Sequence, residues 1–188
     1  MQDYLNRPAE LAAPLLLGSI IERKIDGHTL RVRIVETEAY DQSDAASHSY
    51  KGRTPRTEIM FGPPGFLYVY FTYGMHYCCN IVTDQEGRGS AVLIRAVEPL
   101  EGEDYMKALR DKSGKDLSNG PAKLCQALSI TKELNGHDLS QGPVTLVLQE
   151  PLPADRITQT TRIGISHAQE MPWRFYETGN PYISKSNS

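Results

Sequence analysis

The sequence predicts an α+β fold, one domain over residues 1–188 built on a mostly antiparallel sheet. Three observations carry that expectation. β-prone runs follow one another through short turn signals, which suits hairpins rather than strand–helix–strand units. Nothing resembles a Gly-rich phosphate loop between a strand and a helix. A length of 188 residues fits one domain and is enough to bury a core without disulfide or metal staples.

Taken in order, residues 8–17 read as a short helix, with Pro8 near its start and Gly18 as its stop. "GSIIERKIDGHTLRVRIVETEAY" reads as a hairpin, because Asp26-Gly27 is a strong two-residue turn signal between β-prone runs. On its second strand Leu30, Val32 and Ile34 share one face by period two. Continued parity brings Glu36, Glu38 and Tyr40 to that same side, so two carboxylates emerge at the end of a strand whose earlier positions enter a core. Residues 41–65 are irregular and rich in Ser, Gly, Pro and charge; loops this long are usually functional or disordered. Residues 66–72 form a strand, Tyr73-Gly74 a turn, and 75–83 a returning strand. After the "DQEGRG" turn comes the strand "SAVLIRAV". A helix follows near 102–112. "NGPAKLCQAL" opens another, with Pro121 at its first position. "PVTLVL" is a late strand, and "NPYIS" is a candidate for one more.

Composition narrows the function. With 39% hydrophobic and 23% charged residues, the chain is ordinary for a soluble globular protein. No apolar run approaches the roughly 18 residues of a membrane helix. The first residues lack the basic-then-apolar pattern of a signal peptide, so a cytoplasmic protein is expected. Three cysteines, two of them adjacent, argue against a disulfide framework. Neither CxxC nor HExxH occurs, and no structural zinc site is expected. A net charge of −3 argues against non-specific coating of nucleic acid but leaves room for a local basic face. "KGRTPR" (Lys51 to Arg56) and "KALRDKSGK" (Lys107 to Lys115) are the two basic stretches; each alone reads as a solvated loop.

The stretch "YVYFTYGMHYCCN" holds four tyrosines and no formal charge. Tyr68, Tyr70 and Thr72 face one way on their strand, and Leu67, Val69 and Phe71 the other. One apolar face suffices for a core, and the other offers rings that stack and carry a polar tip. Alone, this fits an amphipathic strand with surface tyrosines slightly better than a stacking platform. Glu36 and Glu38, the tyrosines, the basic loop and Arg95 on a later strand together suit a nucleobase pocket.

"RIVETEAY", "LYVYFTYGMHYCCN", "LIRAVEPLEG", "GPAKLCQAL" and "RFYETGNPYIS", in that order from about Asn6 to Ser184, resemble the alkyladenine DNA glycosylase family (3-methyladenine DNA glycosylase, mammalian methylpurine type). The resemblance implies a single mixed domain with a curved antiparallel sheet and a β-hairpin that enters the minor groove of double-stranded DNA. It implies an enzyme that flips out alkylated or deaminated purines and hydrolyses the N-glycosidic bond with water. No metal, cofactor or Schiff base is implied. Within it Glu38 matches the general base, and Arg95 the arginine that holds the catalytic water and a nearby phosphate. Glu36 is left a solvated or structural role. Tyr40 and Tyr70 match the stacking walls, and His48 the residue across the base. Asn80 matches the side chain that screens the purine 2-position, and Tyr73 the ring that fills the gap left by the flipped nucleotide. Met60, Thr54 and Lys123 match backbone or groove contacts. His76 stands where the family often carries an aromatic residue. The expected protein is a monofunctional hydrolase of base-excision repair, a monomer, cytoplasmic and nucleoid-associated while working.

The chemistry agrees with those roles. Breaking a glycosidic bond builds positive charge on the sugar, which a nearby carboxylate stabilises while taking a proton from water. Alkylation makes the purine cationic, hence a better leaving group and a better partner for electron-rich rings. Two rival readings use the same residues. One is a non-catalytic single-strand-binding module with a tyrosine platform. The other is a sugar hydrolase using Glu36 and Glu38 as a carboxylate pair, disfavoured because residues two apart on one strand lie side by side.

Overall fold

A computed structural model describes residues 2–184. Two short helices, α1 (Gln2–Leu5) and α2 (Ala9–Ala12), open the chain, and a 3-10 turn spans Pro14–Leu16. The helix expected over 8–17 is thus cut short, because Pro14 lacks the N–H that would continue the ladder. Strands β1 (Ile20–Ile25) and β2 (His28–Asp41) form the expected hairpin. Asp26 and Gly27 carry φ of 48° and 77° at its two-residue turn, the left-handed geometry for which Asp-Gly is suited. The segment between β2 and the next strand is not featureless: it winds through 3-10 turns at His48–Lys51 and Glu58–Phe61. Then follow β3 (Leu67–Thr72), β4 (His76–Val82), β5 (Ser90–Glu101), α3 (Glu103–Arg110), α4 (Pro121–Ala127), β6 (Val144–Val147), β7 (Ile157–Thr160) and β8 (Arg174–Glu177).

All eight strands join one antiparallel sheet in the order β3-β4-β5-β2-β1-β6, with β7 on β8 and β8 on β2. The long strand β2 pairs with β5 on one edge and is shared on the other: β1 takes His28 to Arg33, and β8 takes Glu36 to Glu38. The last strand lies upstream of "NPYIS", which is no strand. There the Asn180 side chain accepts from the Tyr182 N–H at 2.9 Å and turns the chain.

The expected parity of β2 fails in one respect. The β2–β5 register shifts between Ile34 and Glu36 and again between Glu36 and Thr37; the first bulge adds a residue to β2 and the second one to β5, and each reverses the alternation of its strand. Leu30, Val32 and Ile34 enter the core, and beyond the bulge Ala39 does so while the Thr37 hydroxyl donates to the Ala13 carbonyl at 3.0 Å. Glu36, Glu38 and Tyr40 share a face, as expected, but it is the face opposite the core. Helices α2 and α4 cover the core side, against Leu67, Val69, Cys79, Ile81, Val92 and Ile94. A smaller cluster of Met60, Phe61, Tyr68, Val82 and Ala91 sits on the other face beneath the 48–61 segment.

Candidate active site

Register fixes which residues meet on the face away from the core. Tyr68 lies opposite Asn80, Asn80 opposite Leu93, and Leu93 opposite Glu38. One row therefore crosses four strands, with Tyr70 opposite Cys78 beside it. The strands carrying Tyr70 and Tyr40 are separated by β4 and β5. That is three strand spacings, about 14 Å between backbones, and long side chains rise from both sides over a floor of Cys78, Asn80, Leu93 and Arg95. The cavity so formed has a volume of about 460 Å³ and is also lined by Tyr68, Tyr73, Met60, His48, Pro121 and the 163–167 segment. This is within the ~300–1,000 Å³ typical of ligand sites.

Glu38 has no exposed surface and sits directly behind the cavity wall. Its three donors all line the cavity: the Ile163 N–H to Oε1 at 2.8 Å, the Tyr40 hydroxyl to Oε2 at 2.9 Å, and Arg95 Nη1 to Oε2 at 3.3 Å. A carboxylate has about four acceptor positions, so Oε1 retains capacity for one more donor. Glu36 is buried as well and is not solvated. It receives Arg174 Nε at 2.6 Å and both the N–H and hydroxyl of Ser184, at 2.6 and 2.8 Å. Neither Glu36 nor the Arg174 and Ser184 side chains that hold it line the cavity.

Tyr40 is held from behind. The Arg162 side chain is wholly buried, lies 4.7 Å from the centre of the Tyr40 ring and 5.3 Å from that of Trp173, and forms a bidentate pair with buried Asp44. It also donates to the Ala39 carbonyl at 2.8 Å and the Ala168 carbonyl at 3.3 Å. One guanidinium thereby fastens β2, the segment leading to His48 and the segment carrying Ile163. Burial, reinforced by the neighbouring Glu38 charge, pushes the Tyr40 phenol well above its ordinary range, so it remains a donor.

On the facing wall, the rings of His48 and Tyr70 meet edge to face with centres 4.6 Å apart, and Tyr68 and Tyr70 stack at 5.7 Å. His48 Nδ1 lies 3.0 Å from the Tyr68 hydroxyl. Desolvation, aided by the Arg56 charge, lowers the His48 pKa to about 4, which makes it a neutral imidazole at neutral pH although its ring borders the open mouth. Burial pushes the Cys78 thiol up to about 11, so it is not a thiolate nucleophile. Asn80 donates from Nδ2 to the Tyr68 carbonyl at 3.1 Å, which fixes the amide on the floor.

The other matched residues are scattered. Tyr73 is 82% exposed at the β3–β4 tip with φ of 51°, next to Gly74, and Met75 beside it is exposed too. Met60 is buried and lines the cavity. Thr54 is engaged with Thr57 in a tight turn, and Lys123 Nζ reaches Asn119 Oδ1 at 2.7 Å and Asp116 at 3.5 Å; neither lines the cavity. Sequence reasoning missed Arg162, Asp44, Ser184 and the Ile163 N–H. The "TRIGISH" segment carries neither helical nor strand periodicity that would have marked it. Among the described residues no group of three or more His, Cys, Asp or Glu is placed to hold a metal ion, and no helix is long and apolar enough to cross a membrane.

Nearly the whole chain is similar to known proteins. The family model described as Methylpurine-DNA glycosylase (MPG) matches residues 3–181. A protein of Carboxydothermus hydrogenoformans is 50% identical over 186 residues, covering 98% of this chain and 97% of its own. One of Desulfitobacterium hafniense is 46% identical over 197 aligned positions, covering 97% of each chain. One of Streptomyces avermitilis is 42% identical over 190, covering 97% of this chain and 89% of its own. All three carry the provisional name 3-methyladenine DNA glycosylase.

Proposed function

We propose, given that this chain belongs to the methylpurine-DNA glycosylase family, that it receives a purine flipped from double-stranded DNA and hydrolyses its N-glycosidic bond with a water activated by Glu38. The observation that carries this reading is buried Glu38, paired with Arg95 and set immediately behind the lining of a cavity flanked by Tyr40 and Tyr70. Family membership makes the chain a DNA glycosylase, a hydrolase of DNA repair; the flipping step, the residue roles and the lesion range are the proposal.

An alkylated or deaminated purine enters between Tyr40 on one side and His48 with Tyr70 on the other. As the bond to C1′ lengthens, the electron pair leaves with the base and the sugar becomes oxocarbenium-like. Glu38 opposes that charge and takes the proton of the attacking water, while Arg95 lines the same wall and keeps the carboxylate in place. Water must reach Oε1 past Tyr40, Arg95 or Ile163. Hydrogen bonds of catalytic groups often tighten or rearrange only in the complex, and these three are the groups a bound nucleotide would touch. Neutral His48 adds no positive charge against a cationic base.

Duplexes carrying a single 3-methyladenine, 7-methylguanine, hypoxanthine or ethenoadenine test the reading, with alkali revealing abasic sites. At least one lesion should give strand breaks at its own position. Binding without release from any of them would support the single-strand-binding alternative instead.

Asn80 faces the base from the floor. Guanine differs from adenine and hypoxanthine by its 2-amino group, which a fixed amide rejects by crowding. Asn80→Ser should therefore release more undamaged guanine or 3-methylguanine than the parent protein; an unchanged spectrum of released bases would count against this placement.

Tyr73 is the ring placed to fill the vacated stack. Extruding a nucleotide costs a few kcal/mol, and a stacking ring returns roughly 1–3 kcal/mol, so the two are comparable. Tyr73→Ser should reduce the flipped population of an ethenoadenine lesion, read by its fluorescence, without lowering the melting temperature, because an 82% exposed ring contributes little burial. Unfolding, or unaltered flipping, would remove Tyr73 from this role.

A further inference from the structure

Arg95 is held on the side away from Glu38. Its Nε donates to the Ser184 hydroxyl oxygen at 3.0 Å and lies 3.4 Å from Glu36 Oε1, while Nη1 faces Glu38. The same Ser184 hydroxyl donates to Glu36 Oε1 at 2.8 Å, and the Ser184 N–H donates to Glu36 Oε2 at 2.6 Å. Glu36 is fastened in turn by Arg174, whose Nη2 also reaches the Ser184 carbonyl at 3.4 Å. Glu36, Ser184 and Arg174 are all buried. Among the described residues Arg95 Nη2 has no hydrogen-bond partner, and Arg95 lines the cavity.

We propose that Ser184 and Glu36 form a clamp that positions Arg95, holding its Nε edge so that a single Nη1 bond reaches Glu38 and Nη2 is left for the flipped nucleotide. This rests on the glycosylase reading above and assigns to that site two positioning residues, neither of which touches substrate. The physical reason for a clamp is the flexibility of arginine. An unrestrained guanidinium between two buried carboxylates would rotate to grip Glu38 with both edges, because a bidentate pair is stronger than a single bond. Gripped in that way, Glu38 would lose acceptor capacity for water and Arg95 its free donor. Glu36 supplies a competing negative charge, and the Ser184 hydroxyl supplies the acceptor for Nε while donating its own O–H to Glu36. Serine suits the position because one hydroxyl both donates and accepts.

A double-mutant cycle tests the clamp. Single-turnover base release is measured for Ser184→Ala, Arg95→Ala and the combined variant. Affinity is measured on a duplex whose lesion nucleotide carries a hydrolysis-resistant 2′-fluoro sugar. Ser184→Ala should lose about tenfold in release, with an affinity loss no larger than that of Arg95→Ala. In the Arg95→Ala background the same substitution should cost nothing further, because its only route to the chemistry is gone. Glu36→Gln, which keeps the shape and removes the charge, should show the same dependence on Arg95. A wild-type rate in Ser184→Ala, or an equal loss with and without Arg95, would overturn the clamp, the second outcome marking a general packing role. An inactive parent protein would overturn the glycosylase reading itself, and an active parent with an unaffected Ser184→Ala only the clamp.

Discussion

Replacing Glu38 by Gln should lower single-turnover base release on the order of 10²–10⁴-fold, the range expected when a positioned general base is lost. Lesion affinity should stay within a few-fold. The amide is nearly isosteric, so the cavity keeps its walls. It can neither take the proton of water nor oppose the charge on the sugar. Part of the loss has a local origin: the site offers three donors to this side chain, from Ile163, Tyr40 and Arg95, and an NH₂ group must face one of them. Activity close to that of the parent would move the base to another residue. Glu36 would be a poor candidate, since its carboxylate is taken up by Arg174 and Ser184.

The largest effect on stability should come from Arg162→Met. Removing one member of a buried, hydrogen-bonded ion pair costs about 3–5 kcal/mol, because the remaining charge is stranded. In a chain of this length each kcal/mol corresponds to about 2–4 °C, so thermal melting should fall by roughly 6–20 °C. Base release should fall as well, since this guanidinium backs the Tyr40 ring and ties Asp44 to the segment carrying Ile163. Pairing the substitution with Asp44→Asn should restore part of the melting temperature, because neither charge is then left alone. A melting temperature within 2 °C of the parent protein would show that the Arg162–Asp44 pair does not hold these walls.

What could be read from the sequence was local. Asp26-Gly27 announced its hairpin because the turn is made by those two residues. The alternation of β3 separated Leu67 and Val69 from Tyr68 and Tyr70 correctly, and Tyr73-Gly74 fell at the tip. The face of Glu38 was misjudged because a bulge depends on the partner strand: the extra residue near Val35 exists only relative to β5. The partners of the site were invisible for the same reason. The Ile163 N–H meets Glu38 across 125 residues, Arg162 meets Asp44 across 118, and Ser184 meets Glu36 across 148. No periodicity or turn signal in the last thirty residues announces such contacts. Glu36 looked like the spare carboxylate of a pair, and only its buried ring of donors shows what it holds.

The central claim is that a carboxylate-activated water, with no covalent enzyme–DNA intermediate, releases the purine. The most direct measurement is mass spectrometry of a single-turnover reaction on a duplex with one defined lesion, run in excess EDTA and quenched with borohydride. The account predicts free purine base, an intact strand with one abasic site, and protein of unchanged mass. A borohydride-trapped protein–DNA adduct, or loss of base release on chelation, would contradict it.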